Sequence, residues 1–155
     1  MRRREKEIPD KTEVEGIIRK SLVCRLALSR NNFPYIVPLC FGYEENALYF
    51  HMAREGEKLD ILMKNRNVCF EFDADHEIVR GENACKWGMK YRSVIGFGTV
   101  SFLEDSESKR HALDTIMGQY SEGTFAFPKE VLEKTVVIKV DITRMTGKKS
   151  GYDRG

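Results

Sequence analysis

The longest strand-forming run in this chain is Tyr91-Arg-Ser-Val-Ile-Gly-Phe-Gly-Thr-Val-Ser-Phe-Leu103, and it decides the fold. Gly96 and Gly98 lie two residues apart in it, so both fall on one face of the strand. Glycines placed in this way allow a strand to bend sharply or another backbone to approach closely, which is how small barrels turn their corners. We therefore expect the strand to bend within a partly closed barrel.

Shorter strands are predicted on both sides of the bent one. Polar turns at 30–34 and 44–46 connect the first three strands as antiparallel neighbours. Short connections of this kind favour an antiparallel α+β fold over a doubly wound sheet. The sequence therefore predicts a mainly β protein with helices, a partly closed barrel of about six antiparallel strands. The five additional strand-forming runs are 23–29, 35–41, 48–52, 67–72 and 135–142.

Three amphipathic helices are predicted from apolar residues at helical spacing. They cover 11–21, with Thr12 as the expected N-cap, then 57–65, and a last helix from Asp105 or Ser106 to Tyr120. Between residues 73 and 87 the chain is polar and has no sustained period. We interpret that segment as a long loop.

Composition favours one ordinary globular domain. The 155 residues are 41% hydrophobic and 32% charged with a formal charge of +2, so we expect a single domain over 1–155, with a basic arm at 1–10 and a tail at 147–155. The 26 basic and 24 acidic residues are too evenly balanced for a nucleic-acid partner. We expect no membrane span, because no apolar run approaches ~20 residues.

Cysteine and histidine spacing excludes two further classes of site. Cys24, Cys40, Cys69 and Cys85 are far apart and form no C-x-x-C pair, so we expect reduced cysteines and a cytoplasmic protein. No two of the three histidines have metal-ligand spacing, so no metal site is predicted.

A ligand site is predicted in the stretch 48–58, where an apolar strand ends in His51 and is followed by Gly56 and Lys58. This order places an imidazole, a free turn and a cation together at the end of one strand. A lysine at the start of a helix adds its charge to the positive end of the helix dipole, which is suited to a phosphate. On the residues alone, a solvated lysine and a hydrogen-bonded structural histidine remain the alternatives.

Five segments together resemble the pyridoxamine 5′-phosphate oxidase-like flavin-binding split barrels. Within that superfamily the chain is most similar to the group that includes the 5-nitroimidazole resistance (Nim) proteins. The similarity extends from about residue 5 to the segment Thr146-Gly-Lys-Lys-Ser-Gly151. The segments, in order, are Cys24-Arg-Leu-Ala-Leu28, 34–41, Tyr49-Phe-His-Met-Ala53 with Gly56-Glu-Lys58, Asn67-Val-Cys-Phe-Glu71, and 89–98.

The resemblance implies an α+β fold with a six-stranded antiparallel split β-barrel of the FMN-binding type, and a homodimer with two FMN sites at the subunit interface. FAD is the alternative flavin, and haem is a less favoured cofactor. Lys58 is then expected to bind the flavin phosphate, and Arg25, Arg92 and Ser93 are expected to make further contacts with it. Ion pairs of the two arginines with Glu71 or Glu44 are the structural alternative. The full set of cofactor-binding residues implied is Val37, Pro38, Leu39, Cys40, Phe50, His51, Met52, Lys58, Tyr91, Arg92 and Ser93.

Two classes of function follow from the resemblance. The first is an oxidoreductase that takes electrons from NADH or NADPH and passes them to a small oxidised acceptor such as a nitroimidazole, with His51 as candidate proton donor. The second is a non-catalytic protein that binds or senses flavin or haem. A barrel without any cofactor is the third alternative. Pyridoxamine phosphate oxidation is disfavoured, because residues 144–154 are a poor replacement for the basic C-terminal substrate segment of that enzyme.

Overall fold

The computed structural model describes residues 3–152 as one antiparallel sheet of eight strands with four α-helices around it. The spatial order of the strands is β3-β2-β6-β7-β8-β5-β4, and β1 pairs with the far end of β8. The strands are β1 (Glu7–Ile8), β2 (Cys24–Arg30), β3 (Phe33–Leu39), β4 (Gly42–Glu44), β5 (Ala47–Met52), β6 (Asn67–Val79), β7 (Gly88–Leu103) and β8 (Val136–Ser150). The helices are α1 (Lys11–Lys20), α2 (Glu57–Lys64), α3 (Ser106–Gly118) and α4 (Lys129–Lys134).

The predicted fold class is confirmed, with eight strands in place of six. The two extra strands are β1 and β4, which are too short to give a sequence pattern of their own. Both chain ends are also more structured than predicted. Part of the expected basic arm pairs with β8 as β1, and β8 continues through the expected tail to Ser150. Residues 1–2 and 153–155 of that arm and tail lie outside the described residues.

The close approach predicted at the two glycines of β7 is present, together with a bulge in the strand pairing. A Cβ on Gly96 would lie 2.0 Å from Cζ of Phe70, and one on Gly98 would lie 2.6 Å from the carbonyl oxygen of Asp141. The pairing of β7 with β8 also shifts register between Phe97 and Gly98. Both glycines therefore allow close approach, the first by an aromatic ring and the second by the neighbouring backbone.

The prediction of a loop over 73–87 is wrong for its first half, 73–79, which belongs to β6. β6 continues to Val79 and pairs with the start of β7, with a register shift between Ala74 and Glu77 and a left-handed backbone (φ 57°) at Asp75. This part of the hairpin is mostly exposed, so its residues show no apolar alternation from which a strand could be predicted. The part that remains a loop is 80–87, and it contains a three-residue 3-10 turn, Ala84–Lys86.

The helices close the open parts of the barrel. α1 and α2 contribute Ile18, Ile61 and Leu62 to the main core, in which Phe50 and Phe70 are fully buried. α3 covers the outer side of β5 in a second apolar cluster. The N-cap of α1 is Asp10 rather than Thr12, since the Asp10 carboxylate accepts a hydrogen bond of 2.8 Å from the Thr12 amide. The predicted cap at Asp105 is confirmed.

Two further features of the structure concern the cysteines and the lengths of the helices. All four cysteines are free thiols. Within residues 3–152, no helix combines the length and the apolar character that crossing a bilayer requires.

Candidate functional site

The predicted ligand stretch forms one wall of a small cleft. The curl of the sheet brings Tyr35 on β3, the edge strand, close to Met52 at the end of β5, and the turn into α2 closes the space between them. Gly56 has a φ of 121° at the N-cap of α2, a conformation that favours glycine. The cleft has a volume of about 220 Å³ and is lined by Tyr35, Met52, Ala53, Glu55, Gly56, Glu57, Lys58 and Leu59.

Lys58 is the one cation among the described residues that line this cleft, which also include Glu55 and Glu57. Its side chain is half-buried, and burial lowers the pKa of its ammonium group. Among residues 3–152 it has no ion-pair or hydrogen-bond partner. A desolvated ammonium without an anion is a costly arrangement in the protein alone, because burial disfavours the charged form. An anionic ligand bound in the cleft would remove that cost.

His51 lies beside Lys58 at the end of β5. Desolvation, and secondly the positive charge of Lys58, lower the pKa of its imidazole below 6.5. The neighbours Phe50 and Met52 point into the core, whereas His51 is exposed on the opposite face of the strand. The structure therefore places an electrically neutral imidazole next to the candidate phosphate cation at neutral pH.

A free strand edge borders the cleft at β3. Because proline has no N–H, Pro34 and Pro38 occupy positions whose nitrogen faces away from β2. Alternation then directs the backbone groups of Val37 and Leu39 towards β2, while their side chains pack against the core. By the same alternation, the predicted edge residues whose backbone groups face outward are Pro38 and Cys40, so only part of the predicted edge is free for a ligand.

Tyr91, Arg92 and Ser93 lie far from the cleft of their own chain. His51 pairs with Val137, which pairs in turn with Leu103 of β7, and Ser93 lies ten residues earlier on that strand. At about 3.3 Å per residue the separation along β7 is roughly 30 Å. One chain therefore does not bring these residues to Lys58.

The two arginines predicted to assist Lys58 are engaged in ion pairs. Arg25 pairs with Glu71 at 3.2 Å and also with Asp73. Arg92 pairs with Asp75 at 2.6 Å, and its guanidinium lies 4.1 Å from the ring centroid of Tyr152. For Arg25 this is the Glu71 pair named as the structural alternative. Arg92 also forms an ion pair, but with Asp75 in place of Glu71 or Glu44.

A second surface of interest is the outer face of the strands β3, β2, β6 and β7. Residues Ile36, Ala27, Cys69 and Phe97 form one row across these strands by register. The neighbouring row contains Ile95, which is 47% exposed, as Ile36 is 63% exposed. Ser93 continues this face into a shallow depression of about 360 Å³ between β7 and β8.

Sequence reasoning missed two residues near Lys58. Arg30, at the end of β2, forms a 3.7 Å ion pair with Glu57 and so brings a second cation to the start of α2. Tyr35 contributes an aromatic wall from β3. Both come from strands more than twenty residues away in sequence, and no local pattern could have assigned them to the cleft.

Comparison with known proteins places this geometry in a family. The family model for pyridoxamine 5′-phosphate oxidase matches residues 10–149. A candidate 5-nitroimidazole antibiotic resistance protein of Bacteroides thetaiotaomicron VPI-5482 has a similar structure, with a TM-score of 0.85 and 38% identity over 92% of this chain and 86% of that one.

More distant structures share the fold. The FAD and haem binding protein of Mycobacterium smegmatis has a TM-score of 0.86 at 21% identity, over 97% of this chain and 77% of that one. The flavocytochrome Anf3 of Azotobacter vinelandii has a TM-score of 0.85 at 18% identity, over 98% and 72%.

An uncharacterised curated protein of Rhizobium meliloti (strain 1021) is 30% identical over 64 residues, which is 41% of this chain and 42% of that protein. The match thus spans less than half the length of that relative. The family model, in contrast, covers nearly the whole chain, and this protein belongs to the pyridoxamine 5′-phosphate oxidase family.

Proposed function

We propose that this protein binds a flavin whose phosphate contacts Lys58. The observation that carries the proposal is a half-buried ammonium group with no partner among the described residues, in a cleft at the N-terminal end of α2. Helix N-termini and lysines both bind phosphate well, and here they coincide. The outward-facing backbone of Pro38 and Cys40 offers hydrogen-bonding groups to the polar edge of the flavin ring.

The proposed flavin site needs a second copy of the chain. Tyr91 and Ser93 are roughly 30 Å along β7 from Leu103, so a partner subunit would have to supply them. The exposed apolar residues Ile36, Phe97 and Ile95 on the outer face of the sheet form a suitable interface, because an exposed apolar sheet face is typical of a protein–protein contact. The ion pair between Arg25 and Glu71 lies on the same face, and opposite charges of this kind would complement those of a second copy related by a two-fold axis.

We further propose an oxidoreductase that takes two electrons from NADH or NADPH and delivers them to a small oxidised acceptor, with a nitroimidazole as first candidate. The flavin supplies the two-electron redox chemistry when bound. The support for this acceptor is the 38% identity to the Bacteroides protein. His51 is the proposed proton donor to the acceptor, since it is exposed beside Lys58 and an anion bound to Lys58 would favour its protonated form.

A visible spectrum of the purified protein with added FMN tests the proposal. Under anaerobic conditions we expect NADH or NADPH to bleach the flavin band, and a nitroimidazole to restore it. A bound flavin that neither nicotinamide bleaches would contradict the oxidoreductase and leave a binding or sensing role. Absence of flavin binding would reject both.

A haem-binding role is the second candidate, and the neutral imidazole of His51 favours it. A histidine must be deprotonated to ligate iron, and the lowered pKa of His51 keeps it so at neutral pH. Haem binding through His51 would give a Soret band that is lost in His51→Ala. The flavin proposal expects no such band.

A further inference from the structure

A larger cavity lies on the other side of the turn that forms the Lys58 cleft. It has a volume of about 640 Å³, within the range of small-molecule sites, whereas the cleft has about 220 Å³. Leu59 lines both spaces, and Arg54 lines the cavity while its neighbours Ala53 and Glu55 line the cleft. The two spaces therefore border each other at this turn and at Leu59.

The cavity has an apolar floor. Leu59 and Met63 of α2 form one side, and Phe102, Leu103 and Val136 form the other. The guanidinium of Arg66 lies 5.5 Å from the ring centroid of Phe102 and so caps this floor with a planar cation. Aromatic and guanidinium planes side by side are suited to a planar heterocycle.

Three cations border the floor without an acidic partner. Arg54 donates to the carbonyl oxygen of Glu133, and Lys109 donates to those of Leu132 and Thr135 at 3.0 Å each. Among residues 3–152, neither these two nor Arg66 forms an ion pair with a carboxylate. Carbonyl contacts fix the positions of the cationic groups without neutralising their charge.

The one acidic residue in the lining is Glu104. Three cations and one carboxylate leave the cavity with a positive balance, and an anion is therefore its expected occupant. The cations stand at the rim of an apolar space, so the anion should carry an apolar planar body.

We propose that this cavity binds an adenosine 5′-phosphate unit, with the planar base on the Phe102 and Arg66 side and the phosphate near Arg54. The inference rests on the proposed function, because the unit would be the adenosine half of a dinucleotide that this function uses, while the phosphate of the resident flavin contacts Lys58. Flavin and nicotinamide dinucleotides both contain this unit. It belongs to FAD if FAD is the resident flavin, or to NADH or NADPH if the resident flavin is FMN.

The test uses AMP, FMN and FAD as probes with the full chain. Nuclear magnetic resonance shifts at Phe102 and Leu59 would report AMP binding, and flavin fluorescence would report FMN and FAD affinity. We expect AMP to bind the FMN-loaded protein. If FAD is the source, FAD binds at least tenfold more tightly than FMN and excludes AMP; if the nicotinamide is the source, NADPH displaces AMP and the two flavins bind equally.

Arg66→Gln should weaken AMP binding at least tenfold and leave FMN affinity within twofold of the wild type. Arg66→Lys keeps the positive charge but lacks the planar guanidinium group, and it should recover part of the AMP affinity. Arg110→Gln is the matched control, an exposed arginine of α3 outside the cavity lining. No AMP binding, or equal AMP binding in wild type and Arg66→Gln, would overturn the inference.

If the protein binds no flavin, the same experiment gives a different result. In that case AMP still binds and still responds to Arg66→Gln, but neither FMN nor FAD binds at any concentration tested. The cavity would then be a nucleotide site independent of flavin.

Discussion

The charge of Lys58 acts on His51, so the protonation of His51 depends on what occupies the cleft. Burial, and secondly the charge of Lys58, lower the pKa of His51, and burial lowers the pKa of Lys58 itself. An anion bound to Lys58 would offset its charge and raise both pKa values. Phosphate binding and protonation of His51 are therefore linked at this site.

The first prediction is the titration of His51. Its imidazole should titrate below pH 6.5 in the free protein, and Lys58→Met or bound inorganic phosphate should move that pKa upward. Carbon-bound imidazole protons followed by nuclear magnetic resonance would measure this. A His51 pKa that is at or above 6.5 and is unchanged in Lys58→Met would contradict the linkage between phosphate binding and protonation of His51.

The same pKa shift sets a direction for stability. As pH falls through 6.5, the unfolded chain binds a proton at this imidazole before the folded one does. The contribution of His51 to stability is therefore present above that pH and is lost as pH falls below it. His51→Gln should make the decline in melting temperature between pH 7 and pH 5 shallower.

The second prediction concerns Lys58. Lys58→Met should weaken FMN binding by about 10- to 100-fold, as expected when a hydrogen bond to a charged group is lost. Lys64→Met, an exposed lysine at the other end of α2, is the matched control and should leave the affinity unchanged. Flavin fluorescence titration distinguishes the two variants. Equal affinity in both would exclude Lys58 as the phosphate ligand.

At the scale of elements, β7 shows what the sequence predicts well and β6 what it predicts poorly. β7 alternates buried and exposed residues around Gly96 and Gly98, so both the strand and the close approach at these glycines follow from the pattern. The second half of β6 lies mostly in solvent, where no alternation is needed, and its pairing with β7 depends on a partner strand. Its register therefore could not be derived from its own residues.

A pair of glycine substitutions tests the close approach at Gly96. Gly96→Ala places a methyl group 2.0 Å from the buried ring of Phe70 and should destabilise the protein by about 1–3 kcal/mol or more. Gly16→Ala, at an exposed position of α1 with open space around it, should stabilise by about 0.5–1 kcal/mol. Urea unfolding of both variants measures the difference. An unchanged Gly96→Ala midpoint would contradict the close packing at this position.

At the scale of the whole molecule, the candidate site divides into a local part and a distant part. His51, Gly56 and Lys58 lie within eight residues, so a strand end followed by a helix start was enough to predict them. Arg30 and Tyr35 reach the cleft only through the curl of the sheet. The larger cavity joins segments from Arg54 to Val136, and nothing in any one of them predicts a shared space.

A prediction for the whole molecule follows from the proposed dimer. Ile95→Glu would place a charge in the centre of the apolar sheet face and should raise the dimer dissociation constant by roughly 30-fold or more. Val131→Glu on α4 is the matched control, because Val131 and Ile95 are both 47% exposed. Analytical ultracentrifugation measures both variants. A dimer unaffected by Ile95→Glu would place the interface on a different surface.

The two prolines of β3 affect how the molecule behaves at high concentration. An edge strand with free N–H groups can recruit a strand from another molecule, and repeated recruitment leads to aggregation. Pro34 and Pro38 remove two donors from the outward edge and leave only Ile36 between them to offer one. The edge that borders the cleft therefore stays open to a small ligand while it resists polymerisation of the protein into extended sheets.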